Sequence, residues 1–513
     1  MKVLCTLSTI VYVFILTTAC DRRNTEVTEE AVVETLTTEQ HRPNYHFTPP
    51  QMWMNDPNGM VYYEGEYHLF YQHYPDSTVW GPMHWGHAVS TDLVNWEHLP
   101  IALYPDTLGY IFSGSAVIDW KNTTGFGSAD QPPMIAIYTY HLAEGSEAGR
   151  DDYQTQGIAY SLDKGRTWTK YEGNPVIPNP GLKDFRDPKV SWHEPSQQWV
   201  MIFAVGDHVR IYNSPDLKEW ALASSFGKDQ GSHDGVWECP DLFPLQVGDT
   251  DQTKWIMIVS LGDGSPNGGS GTMYFIGDFD GKTFTNSNTA DQVLWVDYGR
   301  DNYAGVTWSD IPESDGRRLF LGWMSNWQYA QVVPTETWRS AMTVARTLSL
   351  KSTDNGIRMV SMPVTELTSL RGSKSWSPVE PESPVAFDNG SAEVTLEATL
   401  QDGDSDFYLQ LSNGIGDKLL VGYNSDSNQY YVDRQASGKV DFSPKFPGIH
   451  YAPRLSTGDK IRMRLLIDAA SIELFADGGE AVMTEIFFPK EDFNKIELVA
   501  DNGVAISSQV IDL

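Results

Sequence analysis

Between residue 45 and about residue 350 a pair of strands recurs, and this recurrence leaves the chain very few folds. The first strand of each pair is apolar: 67–72 (YHLFYQ), 134–140 (MIAIYTY), 199–205 (WVMIFAV), 255–261 (WIMIVSL) and 318–324 (RLFLGWM). Their starts lie roughly 55 to 70 residues apart. In the first four units a second strand follows and runs into a turn opened by an acid: Asp92, Asp163, Asp216 or Asp280. Each turn closes on an aromatic residue, Trp96, Trp168, Trp220 or Phe284. An Asp side chain holds such a turn by accepting backbone N–H bonds, and the aromatic ring is placed to pack between neighbouring units. No long helical period interrupts the stretch. Repeats of this size, with about four strands each, read as propeller blades. Five units predict a five-bladed β-propeller over residues 43–362. The alternatives are a sandwich or an array of unrelated hairpins, and the regular spacing argues against both.

A short helix is expected at 364–370, inside a linker at 363–384 whose second half is rich in Ser, Pro and Glu. Alternating segments then return at 392–400, 406–411, 418–423, 430–433, 460–467, 471–475, 485–488 and 495–499. They predict a second all-β domain, a β-sandwich over 385–513. The fold class is therefore all-β, a five-bladed β-propeller followed by a C-terminal β-sandwich.

The N-terminus carries an address. Lys2 precedes an apolar run at 3–16, followed by Thr17, Thr18 and Ala19, which reads as an export signal over 1–20 and is too short to span a membrane. Cys20 stands where cleavage and lipid attachment to its thiol would occur, although Thr17 replaces the aliphatic residue usual in that pattern. Plain cleavage of the signal is the alternative. A lipid on Cys20 is the one membrane contact expected. Residues 21–42 are polar, acidic and Thr-rich and read as a flexible tether. With only Cys5, Cys20 and Cys239 in the chain, no structural disulfide is expected. The net charge of −32 provides no basic face for nucleic acid and suits a neutral substrate. The 17 Trp and 24 Tyr serve equally a large β core or a surface that stacks on sugar rings.

The innermost strands of a propeller line one central channel. Here they are the segments just before the apolar strands: 55–62 (NDPNGMVY), 112–118 (FSGSAVI), 185–191 (FRDPKVS), 237–243 (WECPDLF) and 303–308 (YAGVTW). Three carry an acid near the start, Asp56, Asp187 and Glu238, with Pro following at once or one residue later. A single Asp-Pro is ordinary turn chemistry. Three acids in register across blades converge at one mouth of the channel. Carboxylates sharing a site repel, so at least one pKa should rise, which is the condition for a general acid beside an ionised nucleophile. No run of alternating acidic ligands suggests calcium, and His73, His84 and His87 lack metal-ligand spacing, so neither metal nor cofactor is expected. Cys239 has no His base near it in sequence and reads as buried filler rather than a nucleophile, although beside Glu238 it could influence that acid's environment.

The motifs WMNDPNG at 53–59, FRDP at 185–188 and WECP at 237–240 resemble the three signatures of glycoside hydrolase family 32, which includes invertases, inulinases and levanases. The segment DAASIELF at 468–475 is similar to that family's sandwich signature, and the stretches GPMHWGHAVS, FSGSAV and GVWECPDLF look most like bacterial levanases. The resemblance implies Asp56 as nucleophile, Glu238 as acid/base and Asp187 as the acid that holds fructose hydroxyls and stabilises the transition state. Arg186 beside it is expected to keep Asp187 ionised by charge pairing. Sugar contacts are implied from Asn55, Gln72, Trp80, Phe112, Ser113 and Trp323, with the two Trp rings read as an aromatic wall. The implied chemistry is retaining, with carboxyl groups about 5–5.5 Å apart, and it releases terminal β-D-fructose from fructans. A sucrose-specific invertase, a fructosyltransferase and an endo-levanase are rivals on the same fold. A non-catalytic sugar-binding propeller is a further rival, but it has no use for a nucleophile.

Overall fold

The computed structural model describes residues 39–400, 405–501 and 504–513. The export signal, the lipid site at Cys20 and most of the tether lie outside the described residues.

Five antiparallel sheets form the N-terminal part. Their innermost strands are Met52–Tyr63, Tyr110–Ile118, Phe185–His193, Trp237–Gln246 and Tyr303–Thr307, one for each of blades 1 to 5. Each inner strand lies beside that of the next blade, and the fifth returns to the first, so the ring is closed. Two backbone bonds join its ends: Tyr62 N donates to Ser309 O at 3.0 Å and Ser309 N to Met60 O at 2.9 Å. The short strand Trp338–Arg339, which follows the fifth blade's second strand, adds in parallel to Met52–Tyr63. The chain's late residues thereby complete its first sheet.

The predicted turns take the expected form. Asp92 Oδ1 accepts the N–H groups of Val94 and Asn95 at 2.9 and 2.7 Å, and Asp280 Oδ1 those of Lys282 and Thr283 at 2.8 and 2.7 Å. Asp216 does the same for Lys218 and Glu219, and Asp163 for Thr167. In all four turns the residue after the acid is left-handed: Leu93, Lys164, Leu217 and Gly281, with φ of 64°, 58°, 62° and 93°. Only one of these is glycine, so the carboxylate's bonds to the turn hold a conformation that L-residues disfavour. The closing aromatics pack across blades. Trp96 stacks on Trp308 of the fifth blade at 6.4 Å and Trp168 meets Phe70 of the first at 5.6 Å.

The C-terminal part is a sandwich of two six-stranded sheets around one apolar core. Eight strands fall close to their predicted places, although the segment expected at 485–488 forms at Ala481–Ile486. Two further strands carry little alternation in sequence: Ile449–Pro453, which ends in proline, and Ala505–Asp512, whose centre is polar. The expected short helix is a 3-10 helix, Thr365–Arg371. The Ser- and Pro-rich stretch after it crosses the sandwich and adds a two-residue edge strand to each sheet, Ser377–Pro378 and Val385–Ala386.

Buried charge joins propeller and sandwich. Arg346 bonds Glu473 of the sandwich and, at 3.0 Å, Asp297 of the propeller. Arg434 bonds Asp301 at 2.6 Å and Glu485 at 2.9 Å. The backbones come so close that a Cβ on Gly299 would lie 2.2 Å from Thr484 N. His46 sits in this seam, with Nδ1 2.8 Å from Asp468 and Nε2 2.9 Å from Glu473. Burial opposes its charge, but the two carboxylates outweigh burial and lift its pKa from 6.5 to about 9. The native state therefore binds a proton more tightly than the unfolded chain. The resulting stability is complete below pH 6.5 and is lost as pH rises through about 9. Thermal unfolding of His46→Gln should show a smaller fall in Tm between pH 6.5 and 9 than the parent shows. Equal falls would mean that His46 is not the group that titrates.

Candidate active site

Every inner strand loses its ladder register at one level of the channel. The breaks fall between Met54 and Pro57, Ile111 and Gly114, Arg186 and Lys189, Glu238 and Asp241, and Tyr303 and Val306. Such bulges free side chains from strict alternation and re-aim them. Pro57, Pro188 and Pro240 occupy or border three of the breaks, where a missing N–H forfeits no ladder bond. Asp187 and Cys239 adopt positive φ of 66° and 45° there. The Asp187 backbone is pinned from blade 2: its N–H donates to Thr139 Oγ1 at 3.0 Å, and Thr139 Oγ1 donates to Gln156 Oε1 at 2.7 Å.

The three acids meet in a pocket of about 230 Å³ at this level. All the predicted site residues except Trp323 line it: Asn55, Asp56, Gln72, Trp80, Phe112, Ser113, Arg186, Asp187 and Glu238. The carboxyls have different neighbours. Asp56 accepts bonds from Ser113 Oγ at 2.6 Å, Asn55 Nδ2 at 2.9 Å and the Cys239 thiol at 3.4 Å. Trp53 Nε1 donates to Asn55 Oδ1 at 2.7 Å and so sets the amide. Asp187 accepts the Cys239 N–H at 3.0 Å. Glu238 accepts Arg186 Nη2 at 2.7 Å and Nε at 3.2 Å, and its other oxygen accepts the Tyr303 hydroxyl. Burial raises the pKa of Asp56, and the Ser113, Asn55 and Cys239 bonds oppose the rise. Burial also raises Asp187; Arg186 pulls it down, while Glu238 and Asp56 push it further up. Burial and the surrounding acids drive the Cys239 thiol well above its ordinary range, so it stays protonated and donates.

Three expectations change. Trp323 is fully buried behind Trp53 and Trp327, at ring distances of 6.2 and 4.9 Å, and Trp327 is the ring that lines the pocket. Strand Arg318–Met324 is covered on both faces, so an inward-pointing ring there meets core rather than solvent. Arg186 does pair with Asp187 at 3.8 Å and pulls its pKa down, but its shorter bonds go to Glu238 and to Asp184 at 2.6 Å, and burial with the neighbouring acids outweighs its effect on Asp187. Cys239 is more than filler, since it bonds two of the acids. The sequence reading also missed Tyr303, although it opens the fifth inner strand in register with the acid-bearing segments. His141, Tyr153, Gln154, Asp184 and Trp327 complete the pocket lining. His141 stacks flat on Phe112 at 4.2 Å, and burial lowers its pKa to about 4, so it is a neutral wall.

Family models for the N-terminal and C-terminal domains of glycosyl hydrolases family 32 match residues 46–363 and 366–512. A levanase of Bacillus subtilis is 53% identical over 474 residues, which cover 91% of this chain and 69% of that protein. An extracellular exo-inulinase of Aspergillus niger is 39% identical over 501 residues, covering 90% and 92%. The crystal structure of exo-inulinase from Aspergillus awamori superposes with a TM-score of 0.86 at 34% identity, covering 93% of this chain and 99% of that one.

The raised pKa of Asp56 has a consequence for stability. The native carboxyl holds its proton more tightly than the unfolded chain does, so ionising it opposes folding as pH rises above 3.8. Asp56→Asn should therefore raise Tm by a few degrees at neutral pH, with the gain vanishing on acidification toward 3.8. A Tm lowered at neutral pH would contradict this electrostatic account.

Proposed function

This chain belongs to glycosyl hydrolase family 32, and we propose that it is a fructan β-fructosidase that works by retention, with Asp56 as nucleophile and Glu238 as acid/base. The observation that carries the assignment is the unlike bonding of these two carboxyls within one pocket. Asp56 is met by neutral donors that favour its ionised form without neutralising it. Glu238 is the most exposed of the three acids, at 23% of its side chain, and is gripped by a cation and a phenol that orient it.

The steps follow from this arrangement. Glu238 gives its proton to the glycosidic oxygen as the bond to the anomeric carbon breaks, and the transition state takes oxocarbenium character. Asp56 bonds to that carbon and forms a fructosyl-enzyme. Glu238, now ionised, takes a proton from water; the hydroxide replaces Asp56 and fructose leaves with its configuration kept. Arg186 and Tyr303 steady Glu238 through its change of charge. Asp187 is placed to accept sugar hydroxyls, with Asn55, Gln72 and Ser113 around the ring and Trp80, Phe112 and Trp327 as apolar walls.

The relatives' names, levanase and exo-inulinase, support polymeric fructan as the substrate. Action at a chain end is supported by the floor of the channel. There Lys189 lies 3.4 Å from Asp241 and donates to Thr307 O, one level below the acids. A site closed beneath admits a terminus more readily than a chain interior. On levan, free fructose should be the first and only small product, formed as the β-anomer by NMR. A ladder of oligomers or an α-anomer would overturn this reading, and glucose release from sucrose without matching fructose would indicate transfer. Glu238→Gln should lower kcat by ~10²–10⁴ on fructan, and by less on a substrate whose leaving group needs no proton.

Export with a lipid on Cys20 is the second part of the proposal. It is supported by the apolar run at 3–16 and the small residues before Cys20, and by the extracellular relative. Radiolabelled fatty acid should mark the protein in cells, and Cys20→Ala should lose the label and leave the membrane fraction. Equal label in both would refute lipidation at Cys20.

A further inference from the structure

A second cavity, of about 570 Å³, is larger than the carboxylate pocket and opens at the other mouth of the propeller. Strand direction establishes this. In Phe185–His193 the catalytic level is Arg186 and Asp187, while Ser191 to His193 at the far end line the second cavity. In Trp237–Gln246, Glu238 lies at one level and Phe243 and Pro244 at the other. The Lys189–Asp241 pair stands between the two.

The cavity presents tryptophan. Trp120 is 58% exposed, and its indole N–H donates to Asp310 Oδ1 at 2.8 Å. Trp192 donates to Glu194 Oε2 at 2.5 Å, and Trp255 lines the wall near it. Carboxylates that take up the indole N–H groups fix the ring edges and leave the Trp120 face toward solvent. Its ring meets Tyr63 at 5.7 Å yet leaves more than half of the residue in water. The wall holds three cations and three acids: Lys121 pairs with Glu194 at 3.3 Å and Lys189 with Asp241 at 3.4 Å, and Arg318 and Asp310 complete the balance. Such a wall carries no net formal charge to select an ion. It suits a neutral ligand with one apolar face and many hydroxyls, for which Ser191 and Ser309 add hydrogen-bonding partners. The volume is that of an ordinary small-ligand site.

We infer that this cavity is a second glycan-binding site, which holds a fructan chain away from the cleavage site. The inference rests on the fructan reading above. A polymer held there raises the local concentration of its own ends at the active mouth, so the gain is confined to substrates long enough to be retained.

Two variants of the full chain test it: Trp120→Ala, which removes the open ring, and Ser309→Trp, which fills the cavity and gives up one hydroxyl. Both should raise KM for levan or inulin polymer at least fivefold, leaving kcat on polymer and both constants on sucrose unchanged, while Trp120→Phe keeps most of the polymer affinity. In calorimetry with a fructooligosaccharide, Asp56→Asn should bind at two sites and Asp56→Asn/Trp120→Ala at one. An unchanged KM on polymer in both variants, or one-site binding by Asp56→Asn, overturns the second site while hydrolysis stands. A parent protein that neither cleaves nor binds any fructan overturns the functional reading instead.

Discussion

The active site depends on a fault shared by five strands. Each inner strand breaks its register at the same distance from one mouth of the channel. Without the breaks, side chains would alternate strictly between neighbouring blades, and the acids could not all turn into the channel. Left-handed backbone at a non-glycine residue is unfavourable by about 1–3 kcal/mol, and Asp187 and Cys239 both adopt it. What holds them is local bonding: the Thr139 hydroxyl receives the Asp187 N–H, and the Asp187 carboxylate receives the Cys239 N–H. The same bonds that keep the strain in place also position the acids.

The pocket gives chemically similar groups different neighbours. Asp56 has a hydroxyl, an amide and a thiol; Glu238 has a guanidinium and a phenol. Two buried carboxylates with raised pKa values destabilise the fold at neutral pH, so the scaffold around them must be secure. The closed ring of inner strands contributes one part of that security. The sandwich contributes the other, since its Glu473 and Arg434 face Arg346 and Asp301 of the propeller across a buried seam. Breaking such a buried pair by removing one partner typically costs about 3–5 kcal/mol. In this architecture the second domain braces the residues between blades 4 and 5, from Asp297 to Asp301, that lead into the strand bearing Tyr303.

Much of this was legible in the chain because it repeats. The acid that opens each blade's outer turn recurs four times, and each carboxylate bonds its turn as the pattern implied. Asp56, Asp187 and Glu238 could be aligned because they occupy equivalent places in equivalent strands. Residues outside the repeat had no such register. His141, Tyr153 and Gln154 flank an inserted loop with a short helix, Ala143–Glu147, and Trp327 follows a strand on an irregular connection. Trp323 was misplaced because alternation tells which way a ring points but not whether another ring stands in front of it. The two missed sandwich strands show the same limit, since a polar centre or a terminal proline hides the period while pairing still forms around it.

Retention by the proposed route requires that Asp56 bond covalently to fructose. Rapid acid quench of the enzyme during turnover on levan, followed by peptic digestion and mass spectrometry, reads this directly. A fructosyl adduct on the peptide that contains Asp56 is the predicted result. An adduct on the peptide that contains Asp187 or Glu238, or a fully turning-over enzyme with no adduct on any carboxyl, would contradict it.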